Sequence, residues 1–146
     1  MSVGCPLCEG DGGLVVARAP QFRVVRVVDG DEARRFPAFY RVIWAAHVAE
    51  FGDLSVTDGH VCMGAVTKVE RVLRSLLAPT KVNIASLGNV VPHLHWHVIA
   101  RFDWDSHFPA PIWASAQRDE VAGGAAARLA LPLRAVDEAL QAAVSR

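Results

Sequence analysis

Residues 81–101, KVNIASLGNVVPHLHWHVIAR, decide the fold of this chain and hold three of its six histidines. His93, His95 and His97 alternate with apolar residues, a pattern typical of a β-strand. Because successive side chains of a strand point to opposite faces, the three imidazoles are predicted to share one face, roughly 6.6 Å apart at each step. The apolar residues between them are then predicted to face a hydrophobic core.

Three neighbouring imidazoles on one strand face indicate a functional site. They cannot all be protonated without strong mutual repulsion. The row is therefore expected to share protons, bind a metal ion or face an anion. Leu94, Trp96 and Val98 occupy the alternate positions and are predicted to pack on the core.

The segment HLHWHVI at residues 93–99 resembles the signature of the histidine-triad (HIT) family, in which three histidines alternate with apolar residues. Asn83 and the turn GNVV at residues 88–91 resemble the family's approach to that strand. The likeness extends over about residues 5–118, and the CPLC start is similar to a bacterial sub-branch with an N-terminal CxxC motif. The resemblance implies an α+β, HIT-like fold: an antiparallel five-stranded sheet with one long helix and a C-terminal helix.

Length and composition indicate a single globular domain. The 146 residues are enough to bury a core without cross-links, and we expect a core over about 5–118 and a helical extension over 119–146. Fifteen basic and fifteen acidic residues balance, so we expect no nucleic-acid or membrane partner. No apolar run reaches the ~20 residues of a membrane span, and the N-terminus does not resemble a signal peptide, so we expect a cytoplasmic protein.

Local patterns predict the remaining elements. Strands are predicted over residues 14–17, 22–28, 39–44, 82–86 and 91–102. Short links between them favour antiparallel pairing. Apolar residues at helical spacing predict a long helix that begins with a Ser55–Asp58 capping box and ends before Ala78 and Pro79. A terminal amphipathic helix is predicted from Pro132, so the expected order is βββαββ followed by that helix.

The tetrapeptide CPLC at residues 5–8 is a CxxC motif with three interpretations: a redox dithiol, half of a zinc site, or an empty site. A thioredoxin-type dithiol lies between a core strand and a helix, unlike this N-terminal position. A zinc site needs two more ligands, which histidines can supply. The resemblance to zinc-bearing branches of the family implies that Cys5, Cys8, His47 and His93 hold one structural Zn²⁺.

The chemistry of imidazole favours covalent catalysis on a phosphate. A histidine can take a nucleotidyl group and pass it to water, because neutral imidazole attacks well and phosphorylated imidazole leaves well. His95 is central and matches the family's nucleophile; an Nδ1–H bond to a backbone carbonyl would free its Nε2 for attack. We expect His97 to donate to the phosphate or leaving group and His93 to have a structural role. No metal is needed for this chemistry.

The resemblance also implies substrate contacts outside the triad. A ribose-binding acid is expected after the second strand, where Asp29, Asp31 and Glu32 are candidates, and we predict Asp31. Trp113 lies where some relatives reach across a dimer to the partner's ligand.

Two asparagines complete the predicted substrate contacts, Asn83 and Asn89. Where many family members have Gln-Ser or Gln-Thr before the triad, this chain has Asn89-Val90. Asn89 can still donate a hydrogen bond to a phosphate, but Val90 offers no hydroxyl. The departure leaves the nucleophile in place and bears on rate and substrate choice.

The leading hypothesis is a nucleotide hydrolase or transferase that acts at the α-phosphate of a nucleoside phosphoramidate, dinucleoside polyphosphate or similar conjugate. It would form a covalent nucleotidyl-histidine. Two alternatives stay open: a metal-dependent hydrolase whose triad itself holds Zn²⁺, and a nucleotide-binding module with little turnover. A homodimer is also expected, since the edges of a small open sheet need cover.

Overall fold

The sheet and the helices are seen in a computed structural model that describes residues 3–146. The strands are β1 (Leu14–Arg18), β2 (Phe22–Arg26), β3 (Phe39–Trp44), β4 (Lys81–Ala85) and β5 (His95–Arg101). The helices are α1 (Pro6–Glu9), α2 (Gly30–Arg35), α3 (Val56–Leu77) and α4 (Leu133–Val144). Short 3₁₀ turns span Phe51–Asp53 and Ala125–Arg128. None of the helices within this described range is long and apolar enough to cross a membrane.

The five strands form one antiparallel sheet in the order β1-β2-β3-β5-β4. The α+β fold predicted from the sequence is confirmed. β5 is an interior strand: His95 pairs with Ile43 of β3, while His97 lies between Arg41 of β3 and Ala85 of β4. Pairing on both sides holds the histidine backbone in a fixed register.

One face of the sheet packs on α3 and α4 and forms the main core. Leu94, Val98, Leu73 and Leu140 are all buried there, and Trp96 packs against the same cluster. The predicted alternation along β5 is therefore confirmed. The histidines lie on the opposite face, which α1, α2 and loops cover only in part.

Helix α3 begins and ends at the residues the sequence predicts. The Ser55 hydroxyl accepts a hydrogen bond from the backbone N–H of Asp58 at 3.1 Å. At the other end, Ala78 adopts a left-handed conformation (φ 45°), which ends the helix before Pro79. This helix supplies a large part of the surface on which the sheet packs.

The structure differs most from the predicted elements in two places. β5 begins at His95 rather than at residue 91, because Pro92 has no N–H and the N–H of Leu94 donates to Val48 outside the strand ladder. The segment after β2, for which the sequence analysis predicts no helix, forms the short helix α2. Its Asp31–Arg34 ion pair at 2.6 Å favours a helical turn.

Polar contacts fasten α4 to the sheet. The Tyr40 hydroxyl donates to the Asp137 carboxylate at 2.7 Å, and Arg26 pairs with the same carboxylate at 3.1 Å. Burial and the bond to Asp137 raise the pKa of Tyr40. The C-terminal helix is thereby held on the face opposite the histidines.

A buried ion pair fixes the loop that follows β5. Arg101 and Asp105 are almost fully buried, and the guanidinium donates to the carboxylate at 2.9 and 3.0 Å. The same carboxylate accepts backbone N–H bonds from Phe102, His107 and Phe108. Burial alone would raise the pKa of Asp105, but these hydrogen bonds and the charge of Arg101 lower it below its ordinary value.

Candidate active site and metal centre

A cavity of about 500 Å³ opens on the histidine face of the sheet. His95 and His97 line it from β5, and Arg41 lines it from the neighbouring strand β3. The loop from Leu87 to Val91, which follows β4, also lines the cavity, together with Leu7 and Trp113. A volume of this size falls within the range of small-molecule sites.

His95 is held in one orientation by the backbone. Its Nδ1 lies 2.6 Å from the carbonyl oxygen of His93, so Nδ1–H donates and Nε2 keeps a free lone pair. Burial lowers the pKa of His95; the bond to His93 acts against this shift, and the charge of Arg41 adds to it. The ring is therefore neutral near pH 7 and can act as a nucleophile.

His97 is packed beside His95. Their ring centroids lie 5.0 Å apart and nearly perpendicular, and the Trp113 ring lies 5.3 Å from His97 on another side. Burial, followed by the charges of His95 and Arg41, lowers the pKa of His97 to about 3. Its buried Nδ1 has no hydrogen-bond partner among residues 3–146. A neutral imidazole with an unused nitrogen thus lies next to the candidate nucleophile.

Four ligand atoms converge at the end of β3 and the start of β5. The Sγ atoms of Cys5 and Cys8 and the Nδ1 atoms of His47 and His93 all lie within 4.8 Å of one another. Both sulfurs lie 3.5 Å from the His93 Nδ1, and the two histidine Nδ1 atoms are 3.2 Å apart. Two imidazole lone pairs this close repel unless a cation or a proton lies between them. These residues could hold one metal ion.

The surroundings of the cluster suit a metal. The His93 Nε2–H donates to the Trp44 carbonyl at 2.6 Å, which leaves Nδ1 unprotonated toward the cluster. Burial raises the pKa of the Cys5 thiol, but bonds from the backbone N–H groups of Cys8 and Leu7 outweigh it and lower the pKa. A Cys₂His₂ donor set of this kind is typical of closed structural zinc sites.

Comparison with known proteins identifies the family. The family profile described as HIT domain matches residues 23–104, more than half of the chain. The chain belongs to the HIT family. No curated protein matches it.

Solved structures of HIT proteins share this fold. A histidine triad protein from Bradyrhizobium japonicum is 26% identical, with a TM-score of 0.72, over 98% of this chain and 97% of that one. A histidine triad protein from Sinorhizobium meliloti is also 26% identical, with a TM-score of 0.64, over 76% and 79% of the two chains. A Zn-bound histidine triad family protein from Mycobacterium smegmatis is 18% identical, with a TM-score of 0.60, over 99% and 96%.

Within this HIT domain, His93 joins the metal cluster to the triad. Its side chain faces the two cysteines and His47, while its backbone carbonyl accepts the hydrogen bond that orients His95. The sequence resemblance assigned His93 a structural role, and this geometry supports that assignment. The orientation of the His95 ring thus depends on a residue of the cluster.

Of the other predicted substrate contacts, two line the cavity. Asn89 lies in the loop before β5, and Trp113 packs against His97 of its own chain. Asn83 is outside the lining, and its amide oxygen accepts a bond from Arg101 at 2.8 Å. Asp31 is also outside the lining: it is exposed and paired with Arg34.

Arg41 is a cavity residue that the sequence reasoning missed. It lies directly across from His97 in the sheet, and its guanidinium donates to the Gly12 carbonyl at 3.2 Å. The available signal was a charged residue inside the apolar run FYRVIW, where an inward-facing arginine is unusual. The sequence does not show that its neighbour across the strands is a triad histidine.

Proposed function

We propose that this HIT protein is a nucleotide hydrolase or transferase that acts at the α-phosphate of a phosphoramidate, dinucleoside polyphosphate or similar conjugate. The observation that carries the proposal is the 2.6 Å bond between His95 Nδ1 and the His93 carbonyl, which leaves Nε2 free at the cavity. The His95 Nε2 attacks phosphorus, and the leaving group departs with its bonding electron pair. Water or another acceptor then attacks the nucleotidyl-imidazole and restores neutral His95.

The surrounding residues serve this reaction. His97 lies against His95 and donates a hydrogen bond to a phosphate oxygen or to the leaving atom. Asn89 binds a phosphate oxygen from the loop before β5. Asp31 and Asn83 are kept as proposed substrate contacts on the resemblance alone, since neither lines the cavity.

The metal-hydrolase alternative is less well supported by the geometry. The four-residue cluster of the described chain contains His93 but neither His95 nor His97. The His95 Nδ1 is already bonded to a carbonyl, so the triad does not converge on one point. We therefore assign the metal a structural role, and the chemical step uses no metal.

Turnover of a fluorogenic nucleoside phosphoramidate tests the proposal and separates it from a binding module. The substrate is offered to the metal-loaded protein beside a panel of dinucleoside polyphosphates. Release of the leaving group at a rate that depends on His95 supports the enzyme. Tight nucleotide binding without turnover of any panel member would instead support the binding module.

The protein is expected to carry about one zinc per chain, bound by Cys5, Cys8, His47 and His93, with Zn–S distances near 2.3 Å. Metal analysis should use protein purified without chelators or metal-affinity columns. Cys8→Ala is expected to lose the zinc, whereas Cys62→Ala, which changes a cysteine in the main core, should retain it. Equal metal content in both variants would contradict the assignment.

We also propose a cytoplasmic location, because cysteines that serve as metal ligands must stay reduced and the cytoplasm is a reducing compartment.

A homodimer is expected, with β4 at the interface. β4 is an edge strand, and Ile84 and Leu87 on or beside it are 42% and 52% exposed. Light scattering should give twice the 15.8 kDa chain mass at micromolar concentration. Ile84→Lys should shift the protein toward monomer, whereas Leu14→Lys on the opposite edge strand should not. A monomer mass for the wild type would exclude the dimer.

His97→Ala is expected to lower kcat by ~10²–10³, because it removes one hydrogen-bond donor from the transition state. The loss should be smaller than that for His95→Ala, since the nucleophile remains. Steady-state kinetics with the phosphoramidate substrate measure it, and zinc content verifies that the neighbouring cluster is intact. A loss as large as that of His95→Ala would show that the two histidines have been assigned the wrong roles.

A further inference from the structure

Arg41 is a cation in the cavity without a counter-ion. It lies on the interior strand β3, and its only hydrogen bond among residues 3–146 is the one from Nη1 to the Gly12 carbonyl. Its Nε is buried and has no partner within the described chain. No carboxylate of the described residues lies within ion-pair distance of it. Arg41 as a whole is partly buried, and its unpaired Nε costs free energy that a ligand acceptor would recover.

Other inward-facing arginines of the protein have polar or charged partners that Arg41 lacks. Arg26 pairs with Asp137, and Arg101 pairs with Asp105. Arg23 donates to three backbone carbonyls of the N-terminal segment. By comparison Arg41 has one carbonyl and the uncharged face of the Phe39 ring, 5.4 Å from its guanidinium carbon, although it is the arginine that faces the cavity.

The groups near Arg41 do not neutralise it. Burial lowers the pKa of Arg41 and the charge of Glu32 raises it, but an arginine stays protonated in either case. Glu32 is on α2 and makes no ion pair with it. The other residues that line the cavity carry no permanent charge. The cavity therefore presents one fixed positive charge.

The position of Arg41 indicates which anion it binds. The loop with Asn89 follows β4, whereas Arg41 comes from β3, on the other side of β5. A phosphate on His95 that is held by Asn89 and His97 leaves Arg41 available for another group. The planar guanidinium matches the oxygens of a phosphate and can donate two parallel hydrogen bonds to it.

We propose that Arg41 is a specificity-determining residue that binds a second phosphate of the substrate, separate from the one that His95 attacks. This inference rests on the proposed function and names its substrate class: nucleotides with two phosphate positions. The second phosphate is either on the ribose or next in the phosphate chain. Both sources present the same chemistry to the guanidinium, and the experiment separates them.

The test compares three ligands of the metal-loaded protein by isothermal titration calorimetry at one fixed salt concentration. The ligands are adenosine 5′-monophosphate, adenosine 3′,5′-bisphosphate and adenosine 5′-diphosphate. One of the two ligands with a second phosphate should bind wild type about tenfold or more tighter than the monophosphate, as expected for a charge-assisted hydrogen-bond pair. The preferred ligand shows where the second phosphate lies.

The variants assign this preference to Arg41. In Arg41→Gln the three dissociation constants should become nearly equal. Arg41→Lys keeps the positive charge but cannot donate two parallel hydrogen bonds. It should therefore retain part of the preference for a ligand with a second phosphate. The matched control Arg134→Gln changes an exposed arginine of α4 and should behave as wild type.

Three results would overturn the inference. Wild type could bind all three ligands alike, or Arg41→Gln could keep the preference. Alternatively, Arg41→Gln could weaken all three ligands by the same factor, which would place Arg41 on the reacting phosphate. If none of the nucleotides binds wild type, the proposed function fails together with this inference; binding without discrimination overturns the inference alone.

Discussion

His95→Ala is expected to lower kcat by about 10⁴-fold or more, the scale seen when a covalent nucleophile is removed. The strand that carries His95 is paired on both sides and buried on its other face, so Nε2 is held rigidly in the cavity. Placing a nucleophile about 3–3.5 Å from its target is worth several kcal/mol of the barrier. Nucleotide affinity should largely persist, because we propose that Asn89, His97 and Arg41, which also line the cavity, bind the phosphates.

Three measurements make this expectation decisive. His60→Ala, at an exposed position of α3, is the matched control and should turn over normally. Zinc analysis of His95→Ala shows whether the neighbouring cluster is intact. A trapped intermediate should carry phosphorus on imidazole and be acid-labile and base-stable. Near-normal turnover of His95→Ala, or an adduct mapped by mass spectrometry to another residue, would refute covalent catalysis by His95.

Asp105→Ala is expected to reduce the free energy of unfolding by about 3–5 kcal/mol, because it leaves the buried Arg101 guanidinium without its counter-ion. It also removes the acceptor for three backbone N–H groups. Urea denaturation followed by circular dichroism measures the loss. Asp103→Ala, two residues away and exposed, is the matched control and should change stability by less than about 0.5 kcal/mol.

The pH dependence of stability provides a second measurement on the same carboxylate. The pKa of Asp105 is lower in the folded chain than its ordinary value. Its contribution to stability is therefore complete above about pH 4 and is lost as the pH falls through the folded pKa. Asp105→Ala should show a flatter loss of stability in acid than wild type. An equal acid dependence in both proteins would contradict the strength assigned to this ion pair.

Local patterns in the sequence are sufficient to predict most of the helices and strands. The alternation of residues 93–99 predicts both the imidazole row and the core face, and strand periodicity depends only on near neighbours. The N-cap at Ser55 and the stop at Ala78 are likewise local signals, and both are confirmed. The metal cluster spans 88 residues between Cys5 and His93, and family resemblance, not spacing, brought its ligands together.

Features that depend on sheet register, on burial or on an ambiguous local signal could not be predicted. The role of Arg41 follows from a register that places it beside His97, and register is a property of the assembled sheet. The Arg101–Asp105 pair joins the end of a strand to the turn after it, and only burial distinguishes it from a surface pair. Helix α2 was missed because glycine and acidic residues also favour turns.

The two-faced strand β5 limits how this gene can change over evolutionary time. Side chains that face the cavity alternate with side chains that face the core along this strand, with a period of two residues. Inserting or deleting one codon within residues 93–99 would therefore move every later side chain of the strand to the opposite face. Imidazoles would then enter the main core, and Trp96 and Val98 would enter the cavity. Substitutions can accumulate in this strand, but length changes must be confined to the loops on either side. Among related sequences, the spacing of the three histidines should therefore change less often than the apolar residues between them are substituted.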